Sequence, residues 1–153
     1  MADFRHSNEP TRKAYGLLHI GPYPMIGSKF GPLMGIVQSA GLPITEVLGV
    51  FHDDQSTVAQ SELRSHACVC FAPGTEISAD LDLELVEIPG GEYVVGTHKG
   101  PYEGLHSSWG EFVTSVIGSG VKLGSMPCFE IYRNDCSQVP ESELLTDMYT
   151  KVE

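Results

Sequence analysis

Apolar residues recur along the chain in two rhythms that alternate, one with the period of a strand and one with the period of a helix. Ala14 to Ile20 is a short apolar run closed by Gly21-Pro22, which predicts a strand. From Met25 to Ala40, Ile26, Phe30, Leu33, Met34 and Val37 fall at helical spacing. Pro32 lies inside that stretch and predicts a kink or a late start, while Gly41 and Pro43 end it. Val47 to Asp53 and His66 to Phe71 read as strands joined by a polar loop. The same series then runs again. Leu83 to Ile88 predicts a strand leading into the turn Pro89-Gly90-Gly91, and Glu92 to Lys99 predicts the next one. A helix is expected from about Glu103 to Ile117, its buried stripe marked by Leu105, Trp109, Phe112, Val113 and Val116. Phe129 to Asn134 and Leu145 to Val152 close the series as strands.

The second series copies the first in detail. His19, Gly21, Pro22 and Tyr23 return 79 positions later as His98, Gly100, Pro101 and Tyr102. Asp54, Val58, Ser61, Glu62 and Leu63 return 81 positions later as Asp135, Val139, Ser142, Glu143 and Leu144. Two motifs in the same order at nearly the same offset mark an internal duplication. The expected fold is therefore α+β: one domain over 1–153, a duplicated β-α-β-β repeat with pseudo-twofold symmetry, its copies at about 13–72 and 83–153. An antiparallel sheet, two main helices and a central groove between the copies follow from that arrangement.

A duplication makes its mismatches informative. At the later offset Phe51 corresponds to Tyr132, and Gly49 corresponds to Glu130. Glu130 sits in the apolar stretch Cys128-Phe129-Glu130-Ile131-Tyr132, where strand alternation puts Cys128, Glu130, Tyr132 and Asn134 on one face and Phe129, Ile131 and Arg133 on the other. If the copies pack about a twofold axis, the missing side chain at Gly49 leaves a gap beside the carboxylate. Aromatic walls around a buried acid suit an organic cation, and burial should raise the pKa of that acid. The plainer alternatives are that Glu130 lies on a solvated strand face, that Trp109 is ordinary helix core, and that His19 and His98 serve their Gly-Pro turns.

Composition narrows the field of functions. Twenty acidic against nine basic residues give a net charge of −11, which disfavours direct binding of nucleic acid and draws in cations. No apolar run approaches the ~18 residues of a membrane span, and the polar first residues lack a secretory signal, so a cytoplasmic protein is expected. Cys68, Cys70, Cys128 and Cys136 form no paired knuckles and read as free thiols. A metal edge at His66-x-Cys68-x-Cys70 would lack a fourth ligand, so no metal and no cofactor is expected.

The stretches Gly21-Pro22-Tyr23, Phe51 to Asp54, Ser61-Glu62-Leu63-Arg64, Pro89-Gly90-Gly91-Glu92-Tyr93, Gly100-Pro101-Tyr102 and Pro127-Cys128-Phe129-Glu130-Ile131-Tyr132 together resemble the GyrI-like (gyrase-inhibitor-like) family of small-molecule-binding domains. The resemblance runs from about Lys13 to the C-terminus. It implies a duplicated fold with a groove between the copies and Glu130 as the acid at its base. It also implies Trp109 and Tyr132 as groove walls, with Phe30, Met34 and Phe51 as wall candidates from the first copy, beside the Gly49 that the duplication pairs with Glu130. His66 departs from the pattern, since its equivalent Asp147 leads one to expect an aspartate there. No DNA-binding segment precedes the repeat, so a stand-alone member is expected. Three functions stay open. The first is binding of aromatic or cationic small molecules, for sequestration or sensing. The second is a hydrolase opening cyclopropane rings of DNA-alkylating compounds, with Glu130 as general base and Tyr132 assisting. The third is a protein partner such as gyrase, met by the acidic surface. The oligomeric state is not readable.

Overall fold

The structure is a computed structural model that describes residues 3–153. Eight strands form one antiparallel sheet in the order β1-β6-β8-β7-β3-β4-β2-β5. Their ranges are β1 Arg5–Glu9, β2 Arg12–Ile20, β3 Ile44–Phe51, β4 Arg64–Phe71, β5 Glu84–Ile88, β6 Gly91–Lys99, β7 Cys128–Tyr132 and β8 Leu145–Lys151. Helix α1 spans Phe30–Ser39 and α2 spans Leu105–Gly118. A 3-10 segment, Tyr23–Lys29, precedes α1, so the late start that Pro32 predicts is what occurs. Proline is tolerated there because the first-turn N–H groups of a helix have no partner to lose.

The order is symmetric about its centre, where β3 pairs with β7. In that pairing Gly49 faces Glu130, Val47 faces Tyr132 and Phe51 faces Cys128. Gly49 and Glu130 are equivalents in the duplication, and a residue paired with its own equivalent lies on the symmetry axis. The pseudo-twofold therefore passes between Gly49 and Glu130. The repeated motifs land on matching turns: Asp54 Oδ1 accepts from Ser56 N at 2.8 Å, and Asp135 Oδ1 accepts from Ser137 N at 2.8 Å. His19 and His98 each bring Nε2 to the carbonyl of the turn proline, at 3.2 Å from Pro22 and 2.9 Å from Pro101.

The structure adds β1, in the polar stretch ahead of Lys13 where the pattern predicts no element. Arg5 and Glu84 stand at the same 79-residue offset as the histidines, which makes β1 the counterpart of β5. Each copy lends this first strand to the other: β1 pairs with β6 and β5 pairs with β2. The register continues unbroken from Glu9↔Gly91 to Arg12↔Ile88, so β1–β2 and β5–β6 form one long bent ribbon. The ribbon curls the sheet on itself. Ala14, Leu48, Val50, Cys68, Ile88, Tyr93, Phe129, Ile131 and Tyr149 meet inside the curl as one core. The helices cover the outer face, with Leu33 and Val37 against Ala67 and Val69, and Phe112 and Val116 against Val94 and Met148. Each such fully buried side chain contributes about 2 kcal/mol. Among the described residues no helix is long and apolar enough to cross a membrane.

His66 is explained by its neighbour. Its equivalent Asp147 accepts from Arg133 Nε at 2.7 Å, and the equivalent of Arg133 is His52. His52 Nε2 lies 2.7 Å from His66 Nδ1, so both members of the pair have changed together. Burial, then the adjacent His66, pushes His52 down to about 4, which keeps His52 neutral near pH 7.

The two bends of the ribbon touch at Gly90, where an added Cβ would lie 2.7 Å from Thr11 N and 2.8 Å from Glu9 O. Both obstacles are backbone and cannot rotate away. Gly90→Ala is expected to lower stability by about 3 kcal/mol in urea unfolding. A loss under about 0.5 kcal/mol would show that the ribbon crossing tolerates separation.

Candidate functional site

On the symmetry axis, β7 turns Cys128, Glu130 and Tyr132 toward the helices and Phe129 and Ile131 toward the core inside the curl, as strand alternation predicts. Glu130 is only 5% exposed. The solvated strand-face alternative is thereby removed.

The rings around Glu130 follow the same axis. Tyr132 makes an edge contact with Tyr102 of its own copy at 5.5 Å and with Phe30 of the other copy at 5.4 Å. Its equivalent Phe51 contacts Tyr23 of its own copy at 4.8 Å and Trp109 of the other copy at 6.4 Å. Tyr23 and Tyr102 are equivalents at offset 79, and so are Phe30 and Trp109. Six rings thus form two matching triads related by the axis. The cross-copy contacts even share an orientation, with ring planes at 86° for Phe30–Tyr132 and 83° for Phe51–Trp109.

The triads match in shape and differ in polarity. The side chains of Trp109 and Tyr132 hydrogen-bond the Glu130 carboxyl. Their equivalents Phe30 and Phe51 have no polar atom, just as Gly49 has no carboxylate. The groups that meet at the carboxyl therefore form one polar set from the second copy, Glu130, Trp109 and Tyr132, and the symmetry mates of these three residues are apolar.

Electrostatics follow from this geometry. Burial raises Glu130 to about 7, outweighing the opposing hydrogen bonds from Trp109 and Tyr132. Its Oε2 is buried without a hydrogen-bond partner among the described residues. The Tyr132 hydroxyl is raised well above its ordinary value by burial, then by Glu130. Cys128, next on the same face, is pushed up to about 12 by burial and then by Glu130, so it is a neutral thiol and a poor nucleophile.

Six of the residues singled out in the sequence meet here: Glu130, Trp109, Tyr132, Phe51, Phe30 and Gly49. Met34, one turn beyond Phe30, packs into the α1 cluster that Trp109 and Cys128 also join. The expected gap over Gly49 is filled. A Cβ at Gly49 would lie 2.9 Å from Tyr132 Oη and 3.3 Å from Phe51 Cζ, because the tyrosine hydroxyl leans into that space on its way to the acid. Tyr102 was missed as a site residue, although its motif marked the duplication; its equivalence to the ring-stacked Tyr23 is the signal that finds it. Among the described residues no group of His, Cys, Asp or Glu is arranged to hold a metal ion.

Comparison with known proteins agrees with this architecture. The model of the GyrI-like small molecule binding domain matches residues 3–153, and the chain belongs to that family. It is 30% identical over 133 residues to a DNA gyrase inhibitor of Enterobacter lignolyticus, covering 85% of each chain. Its fold is similar to the EcmrR C-terminal domain, with a TM-score of 0.78 and 19% identity, covering 100% of this chain and 98% of that one. It is also similar to SAV2435, solved bound to tetraphenylphosphonium, with a TM-score of 0.68 and 12% identity, covering 99% of this chain and 94% of that one.

The raised acid makes a thermodynamic prediction. Between pH 4.5 and about 7 the folded protein keeps a proton on Glu130 that the unfolded chain has released. Stability therefore falls as pH rises through that window, by about 3 kcal/mol, and the deficit is complete above it. Glu130→Gln removes the ionisation, so its stability relative to wild type should improve from pH 5 to pH 8 by about that amount. Urea unfolding at the two pH values checks this; parallel pH profiles would mean that Glu130 ionises as freely folded as unfolded.

Proposed function

We propose that the domain binds organic cations carrying aromatic groups, using the Glu130 carboxylate for charge and the two ring triads for stacking. One observation carries the reading: a buried carboxyl oxygen without a partner among the described residues, on a carboxyl held by Trp109 and Tyr132, which are each part of a ring triad. A buried acid of this kind is costly to ionise alone, and a cation entering the cage supplies the missing counter-charge. Aromatic faces attract the same cation through their negative quadrupoles. Edge contacts between rings are forgiving of ligand shape, so the site suits a class of compounds more than a single one. The tetraphenylphosphonium in the SAV2435 structure is a ligand of this chemistry.

Binding of a permanent cation expels the Glu130 proton. Affinity for tetraphenylphosphonium is therefore expected to rise about tenfold per pH unit up to the acid's pKa of about 7, then level off. Glu130→Gln should bind about 10- to 100-fold more weakly and without the pH dependence. Calorimetry in buffers of different ionisation enthalpy reads both affinity and proton release. Equal affinity of the two proteins across pH would remove the acid from the site.

The same acid favours a second reading. A carboxyl of pKa about 7 with the Tyr132 hydroxyl beside it has the properties of a general base for water. The corresponding reaction is hydrolytic opening of a strained, reactive ring such as a cyclopropane. Mass spectrometry of a cyclopropane-bearing alkylating compound incubated with wild type and Glu130→Gln separates the two: a water adduct made by wild type alone supports hydrolysis. Inhibition of gyrase, the activity in the relative's name, is tested by a supercoiling assay on the same two proteins.

A further inference from the structure

We propose that Tyr102 is the gate and clamp of the Glu130 cage, and that ligands enter from the second copy's side alone. The inference rests on the binding reading above and comes from comparing the two members of one symmetric pair.

Tyr23 and Tyr102 occupy equivalent places, each against the central ring of its triad. Tyr23 is locked. It is 9% exposed, its hydroxyl donates to Asp53 O at 2.6 Å and accepts from Asp53 N at 2.9 Å, and it stands between Pro22 and Pro24. The segment it heads runs seven residues, Tyr23–Lys29, and buries Ile26 as a second anchor. Of these restraints Tyr102 keeps only the preceding proline, Pro101. It is 38% exposed, and its hydroxyl makes no hydrogen bond to another group of the described residues. The side chains of Asp53 and its equivalent Asn134 do the same work, accepting from Arg64 N at 2.8 Å and from Leu145 N at 2.9 Å, so the copies differ in the tyrosine: Tyr23 bonds the backbone of Asp53, and among the described residues Tyr102 makes no such bond to Asn134. The 3-10 turn of Tyr102 has three residues, and Gly100 and Gly104 flank it where the first copy has Gly21 and Met25.

Tyr102 nevertheless covers the site. Its ring lies 5.5 Å from that of Tyr132, whose hydroxyl reaches Glu130. Outward rotation of one partly exposed side chain, with no hydrogen bond to break among the described residues, uncovers the Tyr132 side of the cage while the Phe51 side stays shut under Tyr23. Such rotations are fast compared with ligand exchange. An arriving cation with an aryl arm then sets that arm against Tyr132, and Tyr102 closes over it. Ligand classes with a projecting aryl group fit this entry, since Tyr132 beneath Tyr102 leads to the Glu130 acid.

Trp109 is the sole tryptophan, so its fluorescence reports the cage directly. Acrylamide quenching measures access without any ligand, and stopped-flow mixing with tetraphenylphosphonium measures passage. Tyr102→Ala is expected to raise the quenching constant about threefold and to speed association and dissociation together by about tenfold. Tyr102→Phe, which keeps the ring, should return both readouts toward wild type. Unchanged quenching in Tyr102→Ala overturns the gate. So does faster dissociation at unchanged association, which would make Tyr102 a wall. If wild type fails to bind the cation, the binding reading falls on its own, and the quenching arm still decides whether Tyr102 controls access.

Discussion

A carboxyl group held out of water at the centre of a symmetric sheet constrains everything around it. Ionised and alone, it costs several kcal/mol, and even protonated it asks for hydrogen-bond partners. The structure supplies two donors, Trp109 and Tyr132, and stops short of satisfying Oε2. It also leaves the opposite residue a glycine, because any side chain at position 49 would press on the Tyr132 hydroxyl that serves the acid. The pKa near 7 is the net of these terms: burial dominates, and the donors recover part of it. The chain thus keeps a group close to its point of ionisation at neutral pH, where a modest external charge decides its state.

Such a group is useful only if its surroundings stay put. The exchanged first strands contribute here. β1 pairs into the second copy and β5 into the first, so neither copy can close its own sheet. The core inside the curl draws residues from both copies, and the β3–β7 seam that carries Glu130 has a packed layer beneath it and helices above. Rings reach the acid from elements on each side of the seam, Phe30 from α1 and Trp109 from α2. Preorganisation of the cage is therefore a property of the duplication and does not belong to either half.

Most of this was legible in the sequence where a side chain's burial shows as periodicity. The helices and the strands β2 to β8 carry that pattern. β1 does not: Arg5-His6-Ser7-Asn8-Glu9 is an edge strand held by backbone hydrogen bonds, so it buries little and leaves no apolar rhythm. Glu130 was found because its mate is glycine, a mismatch that stands out on comparing the copies. The cage was half visible. Phe51 and Tyr132 aligned readily, but the equivalence of Phe30 with Trp109 lies at offset 79 in helices whose sequences otherwise differ, and only the ring contacts reveal it. The filled gap was not legible, since no pattern tells where a tyrosine hydroxyl will lean. The paired change of His52 and His66 was hidden in the same way, because its logic resides in a side-chain contact.

The duplication also solves a problem that a symmetric dimer of half-domains could not. In a dimer of identical chains, the residue on the twofold axis meets its own copy across the strand pair, at about 5 Å between Cα atoms. Glutamate there would give two facing carboxyls, which cannot both ionise in a buried site and would share a proton. Glycine there would give no charge at all. Linking the copies in one chain lets position 49 and position 130 diverge, and the divergence spreads to the residues that touch the axis. Phe51 stays apolar while Tyr132 gains a hydroxyl, Phe30 stays apolar while Trp109 offers an N–H, and Tyr23 is fastened while Tyr102 is left loose. The polar set thus comes from the second copy alone, around an axis whose ring contacts stay symmetric. A single charge can then be placed at the best-enclosed point of the fold, where symmetry alone would have forbidden it.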